Sequence, residues 1–100
     1  MQALDPFLHQ ITQACQACQV KHLYVFGSIL RDDFAEDSDV DLIVDFTTAD
    51  PFEYADNYFN LKDALEGIFK RDVDLLDDRA LRNPYFIKAI EHQKQLLYAA

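Results

Sequence analysis

Two hydrophobic periods alternate along this chain. Phe7, Leu8, Ile11, Ala14, Cys15 and Cys18 recur at helical spacing, and Asp5-Pro6 ahead of them reads as an N-cap followed by proline at the first helical position. That pattern predicts a helix to about Gln19. Lys21 to Phe26 is a short β-branched and aromatic run, a buried strand ending at Gly27. A short helix from Ser28 would carry Ile29 and Leu30 inward, and Asp32 to Ser38 is a charged loop. The period then drops to two: Val40, Leu42, Val44 and Phe46 alternate with Asp39, Asp41, Ile43 and Asp45. This is a strand with one apolar face and one partly acidic face. Asp50-Pro51-Phe52-Glu53 repeats the cap, with Glu53 placed to complete a capping box. The helix it opens turns Ala55, Tyr58, Leu61, Leu65 and Ile68 inward and stops near Gly67 to Lys70. Asp72 to Leu76 is a third strand, Asn83-Pro84 starts a last helix through Ile87 and Ile90, and Gln95 to Tyr98 returns as an edge strand. Helices alternating with strands predict a small α/β (α+β) fold, a mixed β-sheet with helices packed on it.

Composition narrows the picture without changing it. One hundred residues, half of them apolar, make a single domain over residues 1–100. Such a domain buries about two thirds of its unfolded surface. Two glycines and three prolines argue against disorder. Nothing resembles a signal peptide and no apolar run reaches membrane-spanning length, so a cytoplasmic address and no membrane contact are expected. A net charge of −9 repels nucleic acid, so no direct nucleic-acid binding is expected, whereas a basic protein partner is attracted. Cys15-x-x-Cys18 invites a zinc or redox reading, but it lacks a second ligand pair and falls in the apolar stripe of the first helix, where thiols serve as small buried side chains. His9, His22 and His92 match no ligand spacing and are assigned to surface or boundary packing. Tyr54 and Tyr58 frame the core, and one of them could stack on a base.

Candidate chemistry gathers between the first two strands. Gly27 lets the backbone turn sharply and approach a ligand with no Cβ in the way. Ser28 adds a hydroxyl and an N–H, and free N–H groups at a helix start there would favour an anion. Beyond ten intervening residues after Ser28, Asp39 and Asp41 leave one face of a predicted strand. Two carboxylates about 4 Å apart repel by roughly 4 kcal/mol at an effective dielectric near 20. A hard divalent cation, above all Mg²⁺, removes that repulsion and brings phosphate oxygens with it. Arg31 is the one base in the loop, suited to a phosphate or to an ion pair with Asp32, Asp33 or Glu36. Ser38 is a turn-former, and Asp45 is solvent-facing at the strand's exit.

Gly27, Ser28, Arg31, Asp33, Ser38, Asp39, Asp41 and Leu42 together resemble the signature of the DNA polymerase beta-like nucleotidyltransferases, and of their minimal (MNT) branch in particular. Leu30-Arg31-Asp32-Asp33 stands where that family commonly has Ala-Arg-Gly-Glu. The resemblance implies a nucleotidyltransferase-like fold. It also implies that Val73-Asp74-Leu75 supplies a third carboxylate, Asp74 rather than its face-mate Asp72. The implied site holds two Mg²⁺ (or Mn²⁺) on Asp39, Asp41 and Asp74, with Gly27, Ser28 and Arg31 on the nucleotide phosphates. Asp74 would take the proton of the incoming hydroxyl. By the same resemblance the chain is an antitoxin that moves AMP from ATP to a hydroxyl, a tyrosine's, of a HEPN-family RNase toxin bound to it as a hetero-oligomer. The alternatives are an antitoxin that neutralises by binding alone and a small-molecule nucleotidyltransferase.

Overall fold

A computed structural model describes residues 5–27 and 39–100. The short helix expected from Ser28 and the charged loop from Asp32 to Ser38 lie outside the described residues. Within them a 3-10 turn, Asp5–Phe7, leads into α1 (Leu8–Ala17), β1 (Val20–Phe26), β2 (Val40–Phe46) and α2 (Pro51–Phe69). β3 (Val73–Asp77), a second 3-10 turn at Asp78–Ala80, α3 (Pro84–Gln93) and β4 (Gln95–Ala99) follow. The strands form a mixed sheet in the order β3-β2-β1-β4. β1 is antiparallel to both β2 and β4, while β2 and β3 run parallel with α2 as their crossover.

The alternation in β2 sets the layers. Val40, Leu42, Val44 and Phe46 are buried with Leu23 and Val25 of β1 beneath α1 and α2, which contribute Ile11, Cys15, Leu61 and Leu65. Fully burying each large side chain of this kind stabilises the fold by about 1.5–3 kcal/mol. On the opposite face Phe26 and Ile43 pack against Ile90 of α3, with Tyr24, Leu76 and Leu81 around them.

The helix starts show where local chemistry departs from expectation. The cap position of α1 falls on Phe7, with no side-chain cap bond, because the 3-10 turn at Asp5–Phe7 takes up the residues expected to begin the helix. For α2 the Asp50 carboxylate accepts the Phe52 N–H at 2.8 Å, as a cap should. Glu53 closes the box indirectly: the Thr48 hydroxyl accepts the Asp50 N–H at 3.2 Å and donates to the Glu53 carboxylate at 2.7 Å. α2 ends on Lys70 in the left-handed region, φ 57°, with its N–H donating to the Glu66 carbonyl at 2.8 Å. Ala55, expected inward, is exposed. The inward stripe runs through Tyr54, Tyr58, Leu61, Leu65 and Phe69, and position 55 falls about 100° round the helix from it.

Candidate active site

β1 leads directly into Gly27, whose φ of +82° belongs to the left-handed side of the Ramachandran map. A second constraint acts at the same atom. A Cβ placed on Gly27 would run into the Asp41 carboxylate Oδ2, with Asp41 Cγ only 3.1 Å away. Glycine is therefore demanded here both by the turn and by the close approach of an acidic side chain to the backbone.

Asp41 is half-buried on β2, directly opposite Phe26 of β1 and beside Asp74 of β3. Residues paired across neighbouring strands share a face, so Asp41 and Asp74 rise from the α3 side of the sheet. Asp39 is exposed just ahead of β2, two positions from Asp41 and so on the same side by the pleat. Asp74 is exposed on that side as well. Asp72 precedes β3 and its carbonyl accepts the Val40 N–H at 3.1 Å, so the neighbour of Asp41 is Asp74 and not Asp72. The edge where β1 finishes and β2 and β3 begin thus carries three carboxylates and a glycine turn. Ser28 and Arg31, also expected at this site, lie outside the described residues, as do the motif positions Asp33 and Ser38.

These donors are all hard oxygens, suited to Mg²⁺ or Mn²⁺, and the Asp41 carboxylate lies against the Gly27 backbone at the place a Cβ would take. Among the described residues no three His, Cys, Asp or Glu side chains are drawn close enough to hold a metal ion. The carboxylates are aligned along an edge rather than closed into a cage.

Asp45 differs from its expected role. It lies at the far end of β2, partly buried, 3.6 Å from His22 Nδ1 and 3.8 Å from Arg79 Nε. Arg79 is fixed there because its guanidinium also donates to the Phe46 carbonyl at 2.8 Å and the Thr48 carbonyl at 3.3 Å. Asp45 is thus tied into the fold rather than simply solvated. Tyr54 and Tyr58 do frame the core, as expected. Tyr54 meets Phe46 edge-on, and the Tyr58 hydroxyl donates to the Leu75 carbonyl at 2.6 Å. Burial and a hydrogen bond to Asp77 raise the Tyr54 phenol well above its ordinary pKa. Both rings pack with the α1/α2 core, across the sheet from the carboxylates, so neither is placed to stack on a base at this site. Two aromatic residues that periodicity alone did not single out, Tyr85 and Phe86, stand on the carboxylate side at the start of α3.

Cys15 and Cys18 are buried free thiols. Burial, reinforced by the neighbouring Cys18, pushes Cys15 up to about 12, which keeps it a neutral, unreactive thiol. Among the described residues no helix is long and apolar enough to cross a membrane.

Comparison with known proteins identifies the family and the fold. The family model described as polymerase beta, nucleotidyltransferase matches residues 9–100. Over 82 residues the chain is 37% identical to a Methanocaldococcus jannaschii protein named as a protein adenylyltransferase, covering 80% of this chain and 76% of that one. A solved structure described as a minimal nucleotidyltransferase superposes with a TM-score of 0.75 at 28% identity, covering 94% of this chain and 92% of the other. The fold is also that of a chain in the solved complex of a tri-AMPylated Shewanella oneidensis HEPN toxin with an MNT antitoxin. That likeness has a TM-score of 0.64 at 22% identity and covers 100% of this chain and 74% of that one.

Proposed function

The chain belongs to the polymerase beta nucleotidyltransferase family, and from that premise we propose that it is an antitoxin that transfers AMP from ATP to a hydroxyl, a tyrosine's, of a partner HEPN-family RNase toxin. The observation that carries this reading is the meeting of Gly27 and Asp41 beside Asp74 on one sheet edge. The named chemistry of the M. jannaschii relative and of the HEPN–MNT complex supports the choice of AMP and of a protein acceptor. A catalytic sheet of this size has little surface left to recognise an acceptor, so the acceptor brings its own recognition surface and binds as a hetero-oligomer. The chain acts as one domain in the cytoplasm.

Asp39, Asp41 and Asp74 would hold two Mg²⁺, with Mn²⁺ able to substitute. Bound there, the ions supply Lewis acidity at the α-phosphate and charge neutralisation for the departing pyrophosphate. Gly27 removes the steric obstacle to phosphate approach, and Ser28 and Arg31 follow it to bind the same groups. The acceptor oxygen attacks the α-phosphorus, a new P–O bond forms, and the α–β anhydride bond breaks to release pyrophosphate. The acceptor's proton passes to an Asp74 carboxylate oxygen.

The test is transfer of label from α-labelled ATP to the co-purified toxin. Replacing both Asp39→Ala and Asp41→Ala removes stabilisation made mainly in the transition state, so transfer should fall at least about a hundred- to a thousand-fold. Complex formation should survive, because the toxin is held by a wider surface. A wild-type protein that transfers no label, with a double variant that still protects cells, would instead mean neutralisation by binding. Label appearing on a small molecule and never on the toxin would mean a small-molecule nucleotidyltransferase.

A further inference from the structure

The start of α3 is unusually well fixed for a place that exposes so much aromatic surface. The Asn83 side chain accepts the N–H groups of Tyr85 at 2.9 Å and Phe86 at 3.3 Å, which pins the first turn. Phe86 lies one turn ahead of Ile90 on the helix face that meets the sheet, and its ring stands edge-on to Phe26 with centroids 6.2 Å apart. Farther along the helix, the Lys94 ammonium sits 4.3 Å from the Tyr24 ring centroid. The partners step back from Phe26 to Tyr24 as α3 advances, so α3 runs against β1. Its first turn therefore overhangs the end of β1 where Gly27 meets Asp41. Phe26 itself is the residue opposite Asp41.

Here Tyr85 is 85% exposed and Phe86 40% exposed, on the same side of the sheet as the carboxylates. Helices normally turn such rings inward, since each can bury some 150–250 Å² of surface. Phosphates seated at Gly27 and the carboxylate edge leave the rest of a nucleotide to extend over neighbouring surface. On this side that surface includes the rim formed by Phe86 and Tyr85. We infer that Phe86 and Tyr85 are the platform on which the nucleobase of the bound nucleoside triphosphate stacks. The platform reads a π-face and no hydrogen-bonding edge, so it favours the larger purines over pyrimidines and separates adenine from guanine poorly. The inference rests on the nucleotidyltransferase reading of the same site and adds the base subsite to it.

The experiment compares ATP with inorganic tripolyphosphate, each titrated with Mg²⁺ into the full chain. Tyr85→Ala changes a solvent-facing residue, and Phe86→Leu keeps an apolar contact for Phe26. The two together should weaken ATP about tenfold, in the range of base–aromatic stacking, and leave tripolyphosphate unchanged. The chain has no tryptophan, so Tyr85→Trp supplies a single reporter whose emission ATP should quench and tripolyphosphate should not. Equal weakening of both ligands, or of neither, overturns the platform. So does a wild type that binds the two alike, or a reporter indifferent to bound ATP; in these cases nucleotidyl transfer itself still stands. Unchanged ATP affinity with loss of toxin binding assigns the two rings to the protein interface and overturns the inference. A wild type that binds neither ligand overturns the nucleotide reading and the platform with it.

Discussion

β2 is a single strand with two unlike faces, and the two divide the work of the molecule between them. Toward α1 and α2 it presents Val40, Leu42, Val44 and Phe46, every one buried among apolar neighbours. Toward α3 it presents Asp41, Ile43 and Asp45, of which only Ile43 is fully enclosed. The first face gains free energy from each residue it hides. The second sets the Asp41 carboxylate beside Asp74 of β3 and ties Asp45 to His22 and Arg79. A four-stranded sheet can carry the edge proposed as reactive because most of its buried side chains lie on the other side.

That division can be tested on adjacent residues. Leu42→Ala on the core face should lower unfolding free energy by about 2–5 kcal/mol, read from denaturant titration. An Asp41→Ala loss of similar size would break the comparison, since both faces would then be structural. The Cys15→Ala, Cys18→Ala double variant probes the core face more gently and should cost about 1–2 kcal/mol through lost packing. Zinc content should stay near zero in both forms, and stoichiometric zinc in protein purified without added metal would overturn the structural reading. The pH dependence has a definite sign. Cys15 is raised from 9.0 to about 12 by burial, so its contribution is whole below pH 9 and declines as pH climbs toward 12. The double variant should show a flatter stability profile over that alkaline window.

On the acidic face the sign reverses. Asp41→Asn keeps the shape of the side chain and removes one charge, so the metal-free protein should gain roughly 1 kcal/mol, or about 4–8 °C in Tm. The same change should blunt the rise in Tm that Mg²⁺ gives to the wild type by binding the native state. A wild-type Tm indifferent to millimolar Mg²⁺ with ATP present would count against a metal site on that face.

Much of this was legible in the sequence, for local reasons. The alternation from Asp39 to Phe46 states the two faces of β2 directly, and Asp50-Pro51 and Asn83-Pro84 mark two helix starts by cap chemistry that needs no tertiary context. Gly27 was legible as a turn. Its second constraint, the Asp41 carboxylate against its Cα, arises only when β1 and β2 pair. Asp45 looked solvated because its partner Arg79 arrives from beyond β3, far along the chain. Thr48 between Asp50 and Glu53 could not be foreseen from the capping-box spacing, which treats those two residues as direct partners. Tyr85 and Phe86 carry no local signal for a related reason: helical period says which ring faces the sheet, but only the direction of α3 against β1 says which end of the sheet they reach.

The crossover between β2 and β3 has a consequence for the order in which the molecule comes into being. Asp41 and Asp74 are neighbours in space but are separated in the chain by the whole of α2. A nascent chain that has emerged only as far as α2 can pair β1 with β2 and close Gly27 over Asp41, yet it lacks the third carboxylate of the proposed metal site. Cation affinity should therefore appear late and all at once, when β3 docks. Mg²⁺ binding followed during refolding would then time the arrival of that strand.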